Sequence, residues 1–172
     1  MNFINRTHRR RVVVIVDTPN VAKSVIEKHG SAFRPNYRRI LRHANSRGIV
    51  TAAVALVNDG VNPSFIKALR AMGFQVELSH AFDCDDAVVA WAVRLHTLAD
   101  CLLICSGDHG YCHLVQLLRA VRVRIVLSAV AGCCNRKLRE LSDEYFEVPW
   151  YLAQNSNMGT MAVQPESVAV AE

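Results

Sequence analysis

The chain has 172 residues, 51% of them hydrophobic and 20% charged, with 20 Lys and Arg against 15 Asp and Glu. That length suffices for one domain with a substantial core and is short for two. No apolar stretch approaches the roughly 20 residues needed to span a bilayer, which argues against a membrane protein.

Residues 1–10 are expected to form a basic N-terminal arm carrying Arg6, Arg9 and Arg10. They lack a separate apolar segment and cleavage site, so no secretory signal is expected. The run RVVVIV at 11–16 is continuously apolar after its first residue, as a strand covered on both faces should be. Asp17 stands at its exit. A helix is expected from Asn20 to Lys28, ending near Gly30, and a second between Pro35-Asn36 and Gly48. A strand follows from Ile49 to Val57. Asn62-Pro63 is a helix start, with Asn as cap and Pro in the first turn, and Gly73 closes that helix before a strand from Phe74 to Leu78.

Asp83, Asp85 and Asp86 then precede a largely apolar helix from Ala87 to Leu98, and one of them is expected to cap it. The run CLLIC at 101–105 is the next buried strand, with Ser106, Gly107 and Asp108 at its exit. A helix from Tyr111 to Ala120, a strand from Val123 to Ser128, a helix around Asn135 to Leu141 and a last strand near Tyr145 to Val148 complete the domain, set at residues 11–150. Residues 151–172 lack periodicity and read as a flexible tail.

Strands alternating with helices predict an α/β fold with a mostly parallel sheet. In such sheets the ligand crevice lies outside the carboxyl ends of the strands. Asp17, Asp85 and Asp108 all fall where an apolar strand or its loop gives way, so the fold gathers carboxylates there. Converging carboxylates repel one another unless a hard divalent cation holds them, which points to a metal site.

The six cysteines include no C-x-x-C pair and fall mostly in apolar runs, as buried thiols of a reducing compartment do. The expected location is the cytoplasm. Cys105, His109, Cys112 and His113 cluster near one helix start but match no standard zinc framework.

Charge is uneven. Residues 1–50 hold eleven Lys and Arg against two acids, Asp17 and Glu27. Arg34, Arg38, Arg39, Arg42 and Arg47 lie on or beside the second expected helix. A basic first third beside an acidic crevice would hold a polyanion by its phosphates while the acids hold metal; a solvated basic face that keeps the protein soluble gives the same pattern. Tyr37, among these arginines, is a candidate for stacking a base; a buried tyrosine on a surface helix gives the same pattern.

The segments Asp17-Thr-Pro-Asn20, Asp85-Asp86 and Ser106-Gly-Asp108 resemble, in order and setting, the NYN domains of the PIN-like nuclease superfamily. Those domains show D-x-x-N after the first strand, an acid opening the helix before the fourth strand, and S-G-D-x-D-F after that strand. The resemblance spans about residues 11–148. It implies a single Rossmann-like three-layer domain, acids that bind Mg²⁺ or Mn²⁺, and hydrolysis of RNA to 5′-phosphate and 3′-hydroxyl ends. By it, Asp17, Asp85 and Asp108 are the metal-holding and catalytic acids, and Asn20 orients the site.

Two departures accompany the match. Gly110 stands where the family commonly has a second Asp after S-G-D, with Tyr111 in the place of its Phe. Trp91 stands where a second helix acid is often found. Asp86 and Asp83 are close enough in sequence to substitute. Ser106 lacks the G-x-S-x-G setting of a hydrolase nucleophile and is expected to fix the turn or touch phosphate. His109 is a candidate proton donor, with solvent exposure as the plainer reading.

Three functions are therefore set against one another: a metal-dependent ribonuclease, a lapsed nuclease that binds RNA or protein without cutting, and a phospho-acceptor α/β domain. The last lacks a lysine at the usual place after the fifth strand. Sheet folds of this size often pair, so a homodimer stands among the expected partners.

Overall fold

Five consecutive β-branched residues, Val12–Val16, are wholly shielded from solvent, which requires a layer of side chains on each side of their strand. The computed structural model describes residues 9–79 and 84–153 and supplies both layers. Strand β1 (Arg11–Asp17) leads into helix α1 (Thr18–His29), the short β2 (Phe33–Pro35) and α2 (Tyr37–Asn45). Then follow β3 (Ile49–Asn58), α3 (Pro63–Ala71), β4 (Gln75–Ser79), α4 (Asp85–Leu95), β5 (Cys101–Cys105), α5 (Cys112–Ala120), β6 (Arg124–Ala129), α6 (Arg136–Leu141), β7 (Glu144–Glu147) and β8 (Trp150–Leu152).

The main sheet has six strands in the order β4-β3-β1-β5-β6-β7, and every pairing in it is parallel. The expected three-layer α/β fold is the one observed. Side chains of β1 alternate between two cores. Val13 and Ile15 pack with Val88, Ala92, Val115 and Leu138, from α4, α5 and α6. Val12, Val14 and Val16 pack with Val21, Val25, Ile40 and Leu69, from α1, α2 and α3. Each fully buried Val or Ile contributes about 1.5–3 kcal/mol relative to an exposed one.

The chain builds outward from β1 through β3 to β4, then crosses over α4 to the other side of β1. The reversal places the switch point of the sheet between β1 and β5, at their carboxyl ends. Among the described residues no helix is long and apolar enough to cross a membrane.

A second, two-stranded sheet pairs β2 with β8 antiparallel, Phe33 opposite Leu152 and Pro35 opposite Trp150. Trp150 packs against His29 and Phe33, with ring centroids 4.4 and 5.0 Å apart. The sequence reading set the end of regular structure at residue 150, whereas Tyr151 and Leu152 pair with β2 and the Ala153 N–H donates to the Ala32 carbonyl. The arm at 1–8, Asp83 and residues 154–172 lie outside the described residues.

Candidate functional site

Asp17 closes β1 at the switch point with 4% of its surface exposed. It caps α1, its Oδ1 accepting from the Asn20 N–H at 3.1 Å, while Pro19 occupies the first turn, where a missing N–H costs nothing. Its Oδ2 faces Ser106 Oγ at 3.2 Å and the Tyr111 hydroxyl at 3.0 Å. Burial is the largest influence on this carboxyl and pushes its pKa above the ordinary value. The hydrogen bonds from Asn20, Tyr111 and Ser106 pull it down, and the charge of Asp108 adds to the rise.

Asn20 joins the two strand exits, its side-chain oxygen accepting from the Gly107 N–H at 3.0 Å. Ser106 is wholly buried, and its hydroxyl donates to Asp17 while accepting from the Asp108 N–H at 3.3 Å. It ties Asp17 to the Asp108 loop through these bonds. Gly107 is required for a reason the sequence did not show. A β-carbon there would lie 2.5 Å from the Cys133 carbonyl oxygen, because the β6–α6 loop runs directly over it.

Asp85 is the first residue of α4. Neither it nor Asp86 caps the helix as expected. The cap position is Cys84, whose side chain makes no capping bond, and the two acids lie in the first turn, where negative charge is favourable. Asp85 accepts a hydrogen bond from the Tyr111 hydroxyl. Asp86 is exposed and makes no hydrogen bond to the other acids. Asp108 is half-buried and accepts from the Gly110 N–H at 2.8 Å, capping the turn that leads into α5. His109 is exposed beside it.

Gly110 stands between two of the carboxylates. A β-carbon built on it would lie 3.0 Å from Asp85 Oδ2 and 3.4 Å from Asp108 Oδ1. Asp17, Asp85 and Asp108, drawn from three separate chain segments, thus meet around Gly110 and Tyr111.

Tyr111 is the site residue that sequence reasoning missed. It was visible as a Tyr in the place of a Phe within a buried stretch. A buried phenol needs a hydrogen-bond partner, and the nearest acceptors are the acids. It is wholly shielded, and burial together with the charges of Asp17 and Asp85 pushes its pKa far above the ordinary range. The phenol therefore stays protonated. Having one proton, it donates to one of its two carboxylates at a time.

The basic group is spread over α2 and the segment before it. Arg38 and Arg42 are exposed on α2 and, with Ala71 and Met72, line an open hollow of about 290 Å³. Arg39 is half-buried, and the Arg34 guanidinium donates to the carbonyls of Ser31 and Phe33. Tyr37 is not available to stack a base. It is 6% exposed, packed against Phe65 and Phe74 on the core side of α2, in step with Ile40 and Ala44.

The donors are three hard carboxylates, the kind that take a hard divalent cation, one of them buried and repelled by another. Among the described residues, no three His, Cys, Asp or Glu side chains stand close enough to enclose an ion. The Tyr111 hydroxyl fills the space between Asp17 and Asp85.

An all-parallel sheet with three carboxylates at its switch point defines a PIN-like α/β domain. The NYN domain model matches residues 11–149, and the chain belongs to that family, within the PIN-like nuclease superfamily. Membership carries a nuclease-like, RNA-related function. A crystal structure of a protein of unknown function from Vibrio parahaemolyticus has a similar fold, with a TM-score of 0.76 and 21% identity over 83% of this chain and 95% of that one. No curated protein matches the chain.

Proposed function

We propose that the protein is a metal-dependent ribonuclease that hydrolyses RNA at the crevice formed by Asp17, Asp85 and Asp108. The observation that carries this reading is Asp17 itself. Burying a carboxylate is costly, and this one is held at the switch point under the charge of Asp108, with Asp85 on the far side of the Tyr111 hydroxyl. A structural cap would need none of that company.

Asp17, Asp85 and Asp108 would hold Mg²⁺ or Mn²⁺, which when bound supplies an activated water and neutralises charge on the scissile phosphate. Ser106 and Asn20 keep Asp17 and the Asp108 loop in register through their hydrogen bonds. Arg38 and Arg42 supply exposed positive charge for the RNA backbone. All six cysteines are free thiols, which supports a cytoplasmic setting.

A second reading, an RNA-binding domain without turnover, is favoured by Gly110 and Tyr111. The first withholds a carboxylate, and the second places a hydroxyl between two others. Labelled single-stranded and hairpin RNA, incubated with Mn²⁺, Mg²⁺ or EDTA beside Asp17→Asn and Asp108→Asn, separates the two. Metal-dependent cleavage lost in both variants is the expected result. Binding without cleavage at any metal concentration would replace it with the second reading.

A further inference from the structure

The amino edge of the sheet, opposite the acid crevice, carries its own concentration of charge. An open cleft of about 390 Å³ is lined by Arg10, Arg119, Arg122, Val123, Arg124 and Asp143. Arg10 precedes β1 and Asp17 ends it, so the seven residues of the strand put the cleft about 20 Å from the crevice.

The acids at this edge are already engaged. Asp100 binds the Arg11 guanidinium at 2.8 Å. Asp143 binds Arg119 at 3.2 Å and accepts from the Ile125 N–H at 2.7 Å. Glu144 is shared by Arg47 and Arg124. Burial works to raise the Glu144 carboxyl, but the two guanidiniums outweigh it and hold it below the ordinary value, so this acid stays ionised and paired. Among the described residues no carboxylate lies within ion-pair distance of Arg10 or Arg122. The cleft therefore keeps an excess of positive charge that its own acids do not neutralise.

Arg122 is also the one non-glycine residue with positive φ, at 65°, among those described. It follows the last turn of α5, its N–H donating to the Arg119 carbonyl at 2.9 Å, at a position where helices usually end in glycine. A residue with a β-carbon is strained in this conformation. Arg122 nonetheless occupies it and lines the cleft.

We propose that the Arg10, Arg119, Arg122 and Arg124 cleft is a phosphate-binding site, separate from the acid crevice. Its ligand is a phosphate group carried either on the RNA backbone or on a free phosphorylated small molecule. Planar guanidinium forks suit phosphate oxygens, and several of them around one cleft suit a dianion. The site stands whether or not the crevice cleaves RNA.

The test uses the full chain in EDTA, so that cleavage plays no part. Binding of a short labelled single-stranded RNA and of inorganic pyrophosphate is measured for wild type, Arg10→Ala, Arg122→Gly and, as a charge control on α3, Arg70→Ala. Arg122→Gly removes the guanidinium and the backbone strain together, so its melting temperature should hold or rise and misfolding cannot account for lost affinity. The cleft variants are expected to weaken binding about three- to tenfold, with the salt slope for RNA falling by about 1 per arginine. A loss confined to RNA identifies a backbone phosphate, and a loss of pyrophosphate binding identifies a free one. The proposal is overturned if wild type binds neither probe, if the cleft variants bind both unchanged, or if Arg70→Ala weakens binding equally.

Discussion

The Tyr111 hydroxyl donates to Asp85 while standing 3.0 Å from Asp17 Oδ2, so a single phenolic proton lies between the two carboxylates. The same position serves both purposes that two neighbouring acids have: something must separate their charges, and the place where it sits is the place a cation would take. Removing the hydroxyl while keeping the ring exposes that competition. In Tyr111→Phe the apo protein loses a hydrogen bond to a charged group, worth about 1.5–3 kcal/mol, and its melting temperature in EDTA should fall. The rise in melting temperature on adding Mn²⁺ should exceed that of wild type. An equal or smaller rise would mean that the hydroxyl supports the cation site and does not compete for it.

Gly110 offers the converse experiment. Its missing side chain points between Asp85 Oδ2 and Asp108 Oδ1, so Gly110→Asp adds a fourth carboxylate where two already face each other. The variant should be less stable than wild type in EDTA through like-charge repulsion, bind Mn²⁺ more tightly by titration calorimetry, and cleave RNA faster. Gly110→Ala carries the steric part alone, and the carboxylate ends it touches can shift. If the alanine variant matches the aspartate variant in Mn²⁺ affinity, the added charge is not what the site lacks.

The main helices and the six strands of the large sheet were legible because their signals are local: apolar runs, Asn-Pro starts and glycine stops. Strand order was not, since all-parallel neighbours are joined by crossovers that leave no trace in spacing. The β2–β8 ribbon was invisible for a related reason. Its strands are three residues each, and Pro35 meets Trp150 from the far end of the chain. Asp17, Asp85 and Asp108 could be read from their positions at strand and helix ends. The partnership of Tyr111 with two of them could not, because it joins segments that only the fold brings together. Tyr37 is a different case: its spacing to Ile40 and Ala44 already marked the core face of α2, and its basic neighbours drew attention from that pattern.

Tyr37 in turn yields a prediction. Its hydroxyl is shielded from solvent and has no hydrogen-bond partner among the described residues, and burial pushes its pKa well above the ordinary range. Tyr37→Phe removes a polar group that the fold leaves unsatisfied, so it should stabilise the protein by about 1 kcal/mol. RNA binding by the variant should equal that of wild type. A loss of RNA affinity with unchanged stability would restore the stacking role that its burial argues against.

Asp17→Asn separates the demands of the site from those of the fold through its pH dependence. The Asp17 carboxyl titrates above its ordinary value in the folded protein, chiefly because it is buried, and near that ordinary value, about 3.9, in the unfolded chain. Below the unfolded value both states are protonated, and the buried group carries no ionisation penalty. As pH rises through the folded value, the unfolded chain is the easier one to ionise, and stability is lost. Asparagine cannot ionise. The variant should therefore melt close to wild type near pH 4 in EDTA and progressively above it toward pH 7, while losing RNA cleavage. Added Mn²⁺ should close the gap at neutral pH, because an ion bound to the carboxylates stabilises the folded wild type alone. A melting difference independent of pH would show that hydrogen bonding to Asn20, Ser106 and Tyr111, not the buried charge, sets the stability of this corner.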